Sequence, residues 1–144
     1  MTRTLFIATA VAALIGLSPV PTMANQINIE QFGWSNSAGG AQTGNRNRIG
    51  IYQDGRGNTS VSQQRGRGNL GVTGQNGRRN HADTYQRGRN NAAGIAQFGA
   101  NHNAIMTQDG NRNVAASVQT GRGCDAQVSQ SGRGNVAATV QDCR

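Results

Sequence analysis

The sequence predicts an all-β fold: a β-solenoid of strand-turn-strand coils, 22 residues to the coil, each made of two eleven-residue halves. Three observations predict it. Glutamine returns every eleven residues without gap or insertion. Glycine follows each glutamine by two residues, and asparagine precedes it by six. The rest of the composition, 35% hydrophobic with 21 glycines, is too poor in apolar side chains to build a thick globular core.

The glutamine register runs Gln31, Gln42, Gln53, Gln64, Gln75, Gln86, Gln97, Gln108, Gln119, Gln130 and Gln141. Two residues on stand Gly33, Gly44, Gly55, Gly66, Gly77, Gly88, Gly99, Gly110, Gly121 and Gly132, a series broken only at Cys143. The asparagine column holds Asn25, Asn36, Asn47, Asn58, Asn69, Asn80, Asn91, Asn113 and Asn135, with His102 and Cys124 as its exceptions. The unit NxxxxxQxGxx therefore fills residues 25–144. Residues 1–24 have another composition: Arg3 gives a positive start, Leu5 to Leu17 is an apolar run, and "PTMA" ends in a small residue. They read as a signal peptide cleaved after Ala24, with an apolar run too short to span a bilayer comfortably. Export would place the protein outside the cell, in an oxidising setting.

An eleven-residue period also fits a right-handed coiled coil, but that needs an apolar seam. The fixed letters here are amides and glycine, and each helical glycine would cost about 1 kcal/mol relative to alanine. The strand reading puts seven residues from Asn to Gln in a strand and the next four, such as Asp54 to Gly57, in a tight turn where glycine supplies positive φ. Strand alternation then turns Asn, the second and fourth residues after it, and Gln to one side. The second-after-Asn column is mostly small (Ala82, Ala93, Ala104, Ala115, Ala126, Ala137), which lets two sheets approach closely. Stacked at 22 residues, the glutamines form two ladders, and the asparagine column is expected to ladder likewise, each amide donating to one neighbour and accepting from the other. An unmatched buried amide costs roughly 1–3 kcal/mol, so the register is fixed. The repeat fills the predicted mature chain, leaving the end coils open for pairing.

The strings "INIEQFG" (27–33), "GIYQDGRGNTSVSQQ" (50–64) and "GRGNVAATVQ" (132–141) resemble the curlin repeats of bacterial curli, and the resemblance covers residues 25–144. It implies an extracellular functional amyloid, a pilus-like cell-surface fibre of the biofilm matrix, polymerised from copies of itself and serving adhesion and surface colonisation. Its implied partners are a second curlin subunit, an outer-membrane secretion pore and periplasmic chaperones. The major subunit resembled here usually carries a Gly/Asn-rich stretch before its repeats, which this chain lacks. Major subunit and nucleator both stay open.

All fourteen basic residues are arginine, and six acids leave a net charge of +8. Arg56, Arg67, Arg78, Arg89, Arg122, Arg133 and Arg144 each fall three residues after a glutamine, so stacked turns would align them along two fibre edges. Such rows suit DNA or an acidic polysaccharide, or act as gatekeepers against premature aggregation. A secreted Arg/Gly-rich polyanion-binding protein is the rival class, but it needs no unbroken glutamine register, and aromatic stacking platforms are sparse. An enzyme is not expected: the acids Glu30, Asp54, Asp83, Asp109, Asp125 and Asp142 are scattered, and no catalytic constellation or cofactor motif is found. Cys143 would lie above Gly121, in the same corner as Cys124, so a disulfide is expected, with two free thiols as the alternative. His102 falls below Cys124 in the same column, but two or three ligands without carboxylates make a poor metal site. Finally, the outward positions of 113–119 and 135–141 are apolar, which fits lateral bundling or plain β-propensity.

Overall fold

The computed structural model describes residues 24–144; the signal-peptide reading falls, apart from Ala24, outside the described residues. Eleven strands follow one another: β1 (Gln26–Trp34), β2 (Ser37–Asn45), β3 (Arg48–Arg56), β4 (Thr59–Arg67), β5 (Leu70–Arg78), β6 (His81–Arg89), β7 (Ala92–Ala100), β8 (Asn103–Asn111), β9 (Val114–Arg122), β10 (Asp125–Arg133) and β11 (Val136–Cys143). The odd strands form a six-stranded parallel sheet in the order β1-β3-β5-β7-β9-β11, and the even strands a five-stranded parallel sheet in the order β10-β8-β6-β4-β2. Every pairing is offset by one coil, so Gln53 faces Gln75 and Gln64 faces Gln86. The chain is a β-solenoid of 22-residue coils. Among the described residues, no helix is long and apolar enough to cross a membrane.

The strands are longer than the seven residues expected. All but the last have nine, and only two residues separate one strand from the next. The cause is not local. Each corner stacks in register on the corner of the next coil, so residues expected in a turn keep hydrogen-bonding along the solenoid axis: Gly57 N–H to Trp34 O at 3.0 Å, Arg79 N–H to Arg56 O at 3.0 Å, Asn101 N–H to Arg78 O at 2.9 Å. The asparagine column consequently sits in the two-residue corner instead of opening the strand.

Two features let the corners stack. The column glycines adopt positive φ, from 88° at Gly121 to 135° at Gly77, a region costly for other residues. They also leave room for the next coil, since a Cβ at Gly77 would collide with the carbonyl oxygen of Gly99. Two residues further on, a second positive φ recurs, 68° to 75° where Gly57, Gly68, Gly123 and Gly134 fill it and 56° to 59° at Ser35, Arg46, Arg79, Asn90, Asn101 and Arg112. This left-handed position tolerates a side chain because that side chain points into solvent at the outer corner.

Between the sheets lies a narrow interior. Its apolar part is Ile49, Ile51, Ile95, Met106 and Val128 with the alanine column Ala82, Ala93, Ala104 and Ala115. Hydroxyls fill the same columns at Ser60, Ser62, Thr73, Thr84 and Ser117. Most of the remaining buried side chains are amides, so hydrogen-bond geometry and not apolar volume sets the register.

Gly77→Ala should therefore abolish the β-fold, as read by far-ultraviolet circular dichroism, because a backbone carbonyl has nowhere to move. Gly50→Ala, at an outward strand position with no neighbour within 4 Å, should leave the spectrum unchanged or strengthen it. Equal effects at the two sites would show that close coil stacking is not what the glycine column serves.

Candidate functional site

Alternation along each strand turns the glutamine inward just before the corner, and stacking then brings copies together at 22-residue intervals. In the six-stranded sheet the Nε2 of each glutamine donates to the Oε1 of the next: Gln31 to Gln53 at 2.6 Å, Gln53 to Gln75 and Gln75 to Gln97 at 2.7 Å, Gln97 to Gln119 at 2.9 Å, Gln119 to Gln141 at 3.0 Å. The five-stranded sheet repeats this from Gln42 through Gln64, Gln86 and Gln108 to Gln130, at 2.7 to 2.9 Å. The second N–H crosses between sheets to a backbone carbonyl sixteen residues earlier, as from Gln53 to Ser37 O at 3.0 Å and from Gln86 to Leu70 O at 2.9 Å. Each interior glutamine thus ties coil to coil and sheet to sheet with one amide. Gln53, Gln86, Gln97, Gln108 and Gln119 are wholly buried.

Asparagine behaves differently. A ladder of like amides was the expectation for this column too, but side chain meets side chain only at Asn69–Asn47 (3.2 Å) and Asn135–Asn113 (3.1 Å) among the described residues. Asparagine is one methylene shorter and stays with the backbone of its own corner. Its Oδ1 accepts the N–H of the column residue one coil on, as Asn25 does from Asn47 (3.0 Å), Asn36 from Asn58 (3.0 Å) and Asn58 from Asn80 (3.1 Å). Its Nδ2 donates nineteen residues ahead to a column-glycine carbonyl: Asn58 to Gly77 at 3.1 Å, Asn80 to Gly99 at 3.2 Å, Asn91 to Gly110 at 2.9 Å. The asparagines hold the corners that the glycines shape.

The two exceptions in the column do the same work by other means. His102, buried, accepts the Cys124 N–H on Nδ1 at 3.2 Å and donates from Nε2 to Phe98 O at 3.2 Å, so the neutral Nε2–H tautomer copies the amide. Cys124 and Cys143, nineteen positions apart in the sequence, form a disulfide with Cα atoms 5.6 Å apart. That is the separation of the asparagine-to-glycine hydrogen bond, which the covalent link replaces in the last coil. Among the described residues, no group of three or more His, Cys, Asp or Glu side chains could hold a metal ion.

The arginines separate onto two edges. Arg56, Arg78, Arg122 and Arg144 end odd half-coils, and Arg67, Arg89 and Arg133 end even ones. At the first edge Arg56, Arg78, Arg79 and Arg122 line an open groove of about 430 Å³, with Ala100 interrupting the row. On the outer face of the five-stranded sheet, Arg87 stacks 5.9 Å from the Tyr85 ring, donates to its hydroxyl at 3.1 Å and lies 3.6 Å from Asp109. The Tyr85 contact foremost, then the Asp109 charge, raise the Arg87 guanidinium above its ordinary value.

Two features of the corners are missing from the sequence expectation: the second left-handed position and the nineteen-residue bond. Glycine alternating with Asn, Ser and Arg four residues after each glutamine (Ser35, Gly57, Arg79, Asn101) was the available signal for the first. The fixed Asn-to-Gly separation was the signal for the second.

The family model of the curlin associated repeat matches residues 22–55, 77–110 and 103–132, more than half of the chain. No curated protein matches, and no solved structure matches. The stretch 56–76 between the matched segments keeps the same register, with Gln64 under Gln86 and Gln53 under Gln75.

Gln86→Leu should strand the Gln64 donor, the Gln108 acceptor and the Leu70 carbonyl, at about 1–3 kcal/mol for each buried group left unmatched. Gln63→Leu, on the exposed face next to the register, should change little. Guanidinium midpoints of the two variants check this, and equal midpoints refute it. Loss of the disulfide in Cys124→Ser/Cys143→Ser should cost about 3 kcal/mol. Hydrogen exchange should show the loss in β11 amides, with β5 amides unaffected.

Proposed function

Because the chain belongs to the curlin-repeat family, we propose that it is a secreted subunit of an extracellular curli-like fibre, assembled by end-to-end stacking of its own copies, that serves biofilm matrix, adhesion and surface colonisation. The observation that carries the stacking is the state of the outermost ladder members. Gln42 in the first coil donates to Gln64, yet its own Oε1 is buried without a hydrogen-bond partner. At the opposite end, Gln130 and Gln141 each donate one N–H to a backbone carbonyl, Val114 O and Asp125 O, both at 2.9 to 3.0 Å. Their other N–H has the direction that, in every inner coil, reaches the next glutamine. One end therefore offers acceptors and the other donors, and a second copy satisfies both. The proposed partners follow the family: a second curlin subunit, an outer-membrane pore and periplasmic chaperones. Bulk subunit and nucleator differ in whether this chain starts growth by itself.

A second reading is favoured by the arginine groove. Stacking would continue Arg56, Arg78 and Arg122 into a long row spaced by the strand separation of about 4.8 Å, a linear array for DNA phosphates or acidic polysaccharide. Such binding would weaken as salt is added.

The mature chain, incubated alone and free of polyanion, should form thioflavin-positive fibres with reflections near 4.8 Å along the axis and about 10 Å across it. Growth without seed marks a chain that assembles by itself; growth only on addition of a second subunit marks a client. Persistently monomeric protein that binds DNA tightly would sink the fibre reading in favour of the polyanion binder.

A further inference from the structure

Two columns of side chains stack along the edge where each odd strand turns into the even strand that follows. The register places Arg56, Arg78, Ala100 and Arg122 one above another. One residue later, at the left-handed corner, Gly57, Arg79, Asn101 and Gly123 form the second column. Together with Ser35 they line the open groove of about 430 Å³. Its four arginines are exposed and no acid lines it. Among the described residues both ion pairs lie on the outer face of the five-stranded sheet, so none of these four guanidiniums is in one. Like charges a few ångströms apart repel, and no carboxylate of the groove offsets them.

Exposed arginine–carboxylate pairs are individually weak, so the groove holds a ligand that brings several charges at once. That ligand must also run straight. Three strand spacings of about 4.8 Å separate Arg56 from Arg122, roughly 14 Å along the axis. Over that rise a DNA duplex winds through a little under half of its ~34 Å turn, which carries its phosphates away from a straight row. A single nucleic acid strand can lie straight, but it is held by bases stacked on aromatic rings, and no aromatic side chain lines the groove. Between the guanidiniums the lining is small or polar. Ala100 leaves a hollow between Arg78 and Arg122, and Asn101 and Ser35 present an amide and a hydroxyl. An extended chain of hydroxyl-rich rings, each bearing one carboxylate, answers the charge, the straightness and the hydrogen bonding together.

We propose that this groove binds an acidic polysaccharide of the polyuronate class, one chain lying along the solenoid axis, with its carboxylates on Arg56, Arg78 and Arg122 and a ring seated over Ala100 against Asn101. A guanidinium takes a carboxylate through two parallel N–H donors, a match that a lysine row would not give. The inference rests on the reading of this edge as a polyanion site and narrows it to one partner. It does not need the copies to stack, because a single copy carries the whole groove.

The test is binding of linear polymannuronate to the immobilised mature protein by biolayer interferometry. Monomeric mannuronate, neutral mannan, a single-stranded oligonucleotide and duplex DNA serve as comparators. The polymer should bind and lose affinity as salt rises, the monomer and the neutral chain should not bind, and both nucleic acids should bind at least about tenfold more weakly. Arg78→Gln/Arg122→Gln should weaken the polymer about tenfold or more, whereas Arg67→Gln/Arg89→Gln, the same loss of charge on the opposite edge, should change it less than about twofold. Ala100→Glu, which fills the hollow with a carboxylate of the protein's own, should give the same loss with an unchanged circular dichroism spectrum, and it decides the matter should the double variant misfold. DNA bound as tightly as the polymer, or equal losses from the two edges, overturns the polyuronate site and leaves a general polyanion edge. Failure of every polyanion to bind overturns the polyanion reading as well, while fibre growth, followed separately by thioflavin, stands or falls on its own.

Discussion

The structure depends on one contact repeated along two lines: a glutamine Nε2 donating to the Oε1 of the glutamine 22 residues on, out of reach of water. An amide in a dry interior is costly when unpaired and satisfied only by a partner at one height and one orientation. A wholly apolar interior would tolerate a strand sliding by two residues, whereas a column of amides does not. The eleven-residue period is therefore kept without insertion, although the apolar positions between the amides vary from Ile95 to Ser62 and Thr84. Those hydroxyls, like the small alanines, are acceptable because they are not asked to set the register.

From that constraint the corners follow. Ladder spacing is strand spacing, so the corner of one coil must sit as close to the next as two strands do. That leaves no room for a Cβ where the next carbonyl comes down, and the column glycines answer a steric demand as well as a dihedral one. The column position that is not glycine, Cys143 in β11, pairs with Gly121 and carries the side chain that closes the corner to Cys124.

How much of this could be read in the sequence depended on whether the cause was periodic or spatial. The glutamine columns, the pairing at 22 residues and the parity of inward residues follow from period and alternation alone, so they were legible. Strand length was not, because residues such as Arg56 and Gly57 look like turn residues locally and become ladder residues only when Trp34 and Arg79 stack on them. The asparagine column was seen, but its bonding was misread. Asn and Gln carry the same group, and only the difference of one methylene, placed at the corner, decides that Asn58 bonds to Asp54, Gly77 and the Asn80 N–H and not to its own kind.

The substitutions inside that column show what it requires. Asn, His102 and Cys124 differ in size and in hydrophobicity. His102 keeps the acceptor for the next N–H, and Cys124 keeps the tie across nineteen residues by a covalent route. A column that accepts three chemistries in one role is a hydrogen-bonding scaffold for the backbone, whereas the glutamine column, which accepts no substitute in eleven positions, is the interaction itself. With the interior so constrained, the outward positions are where the sequence is free to vary, and charges stand there on both sheets: Glu30, Arg48, Asp54 and Asp142 on the six-stranded one, Arg65, Asp83, Arg87, Asp109 and Asp125 on the five-stranded one.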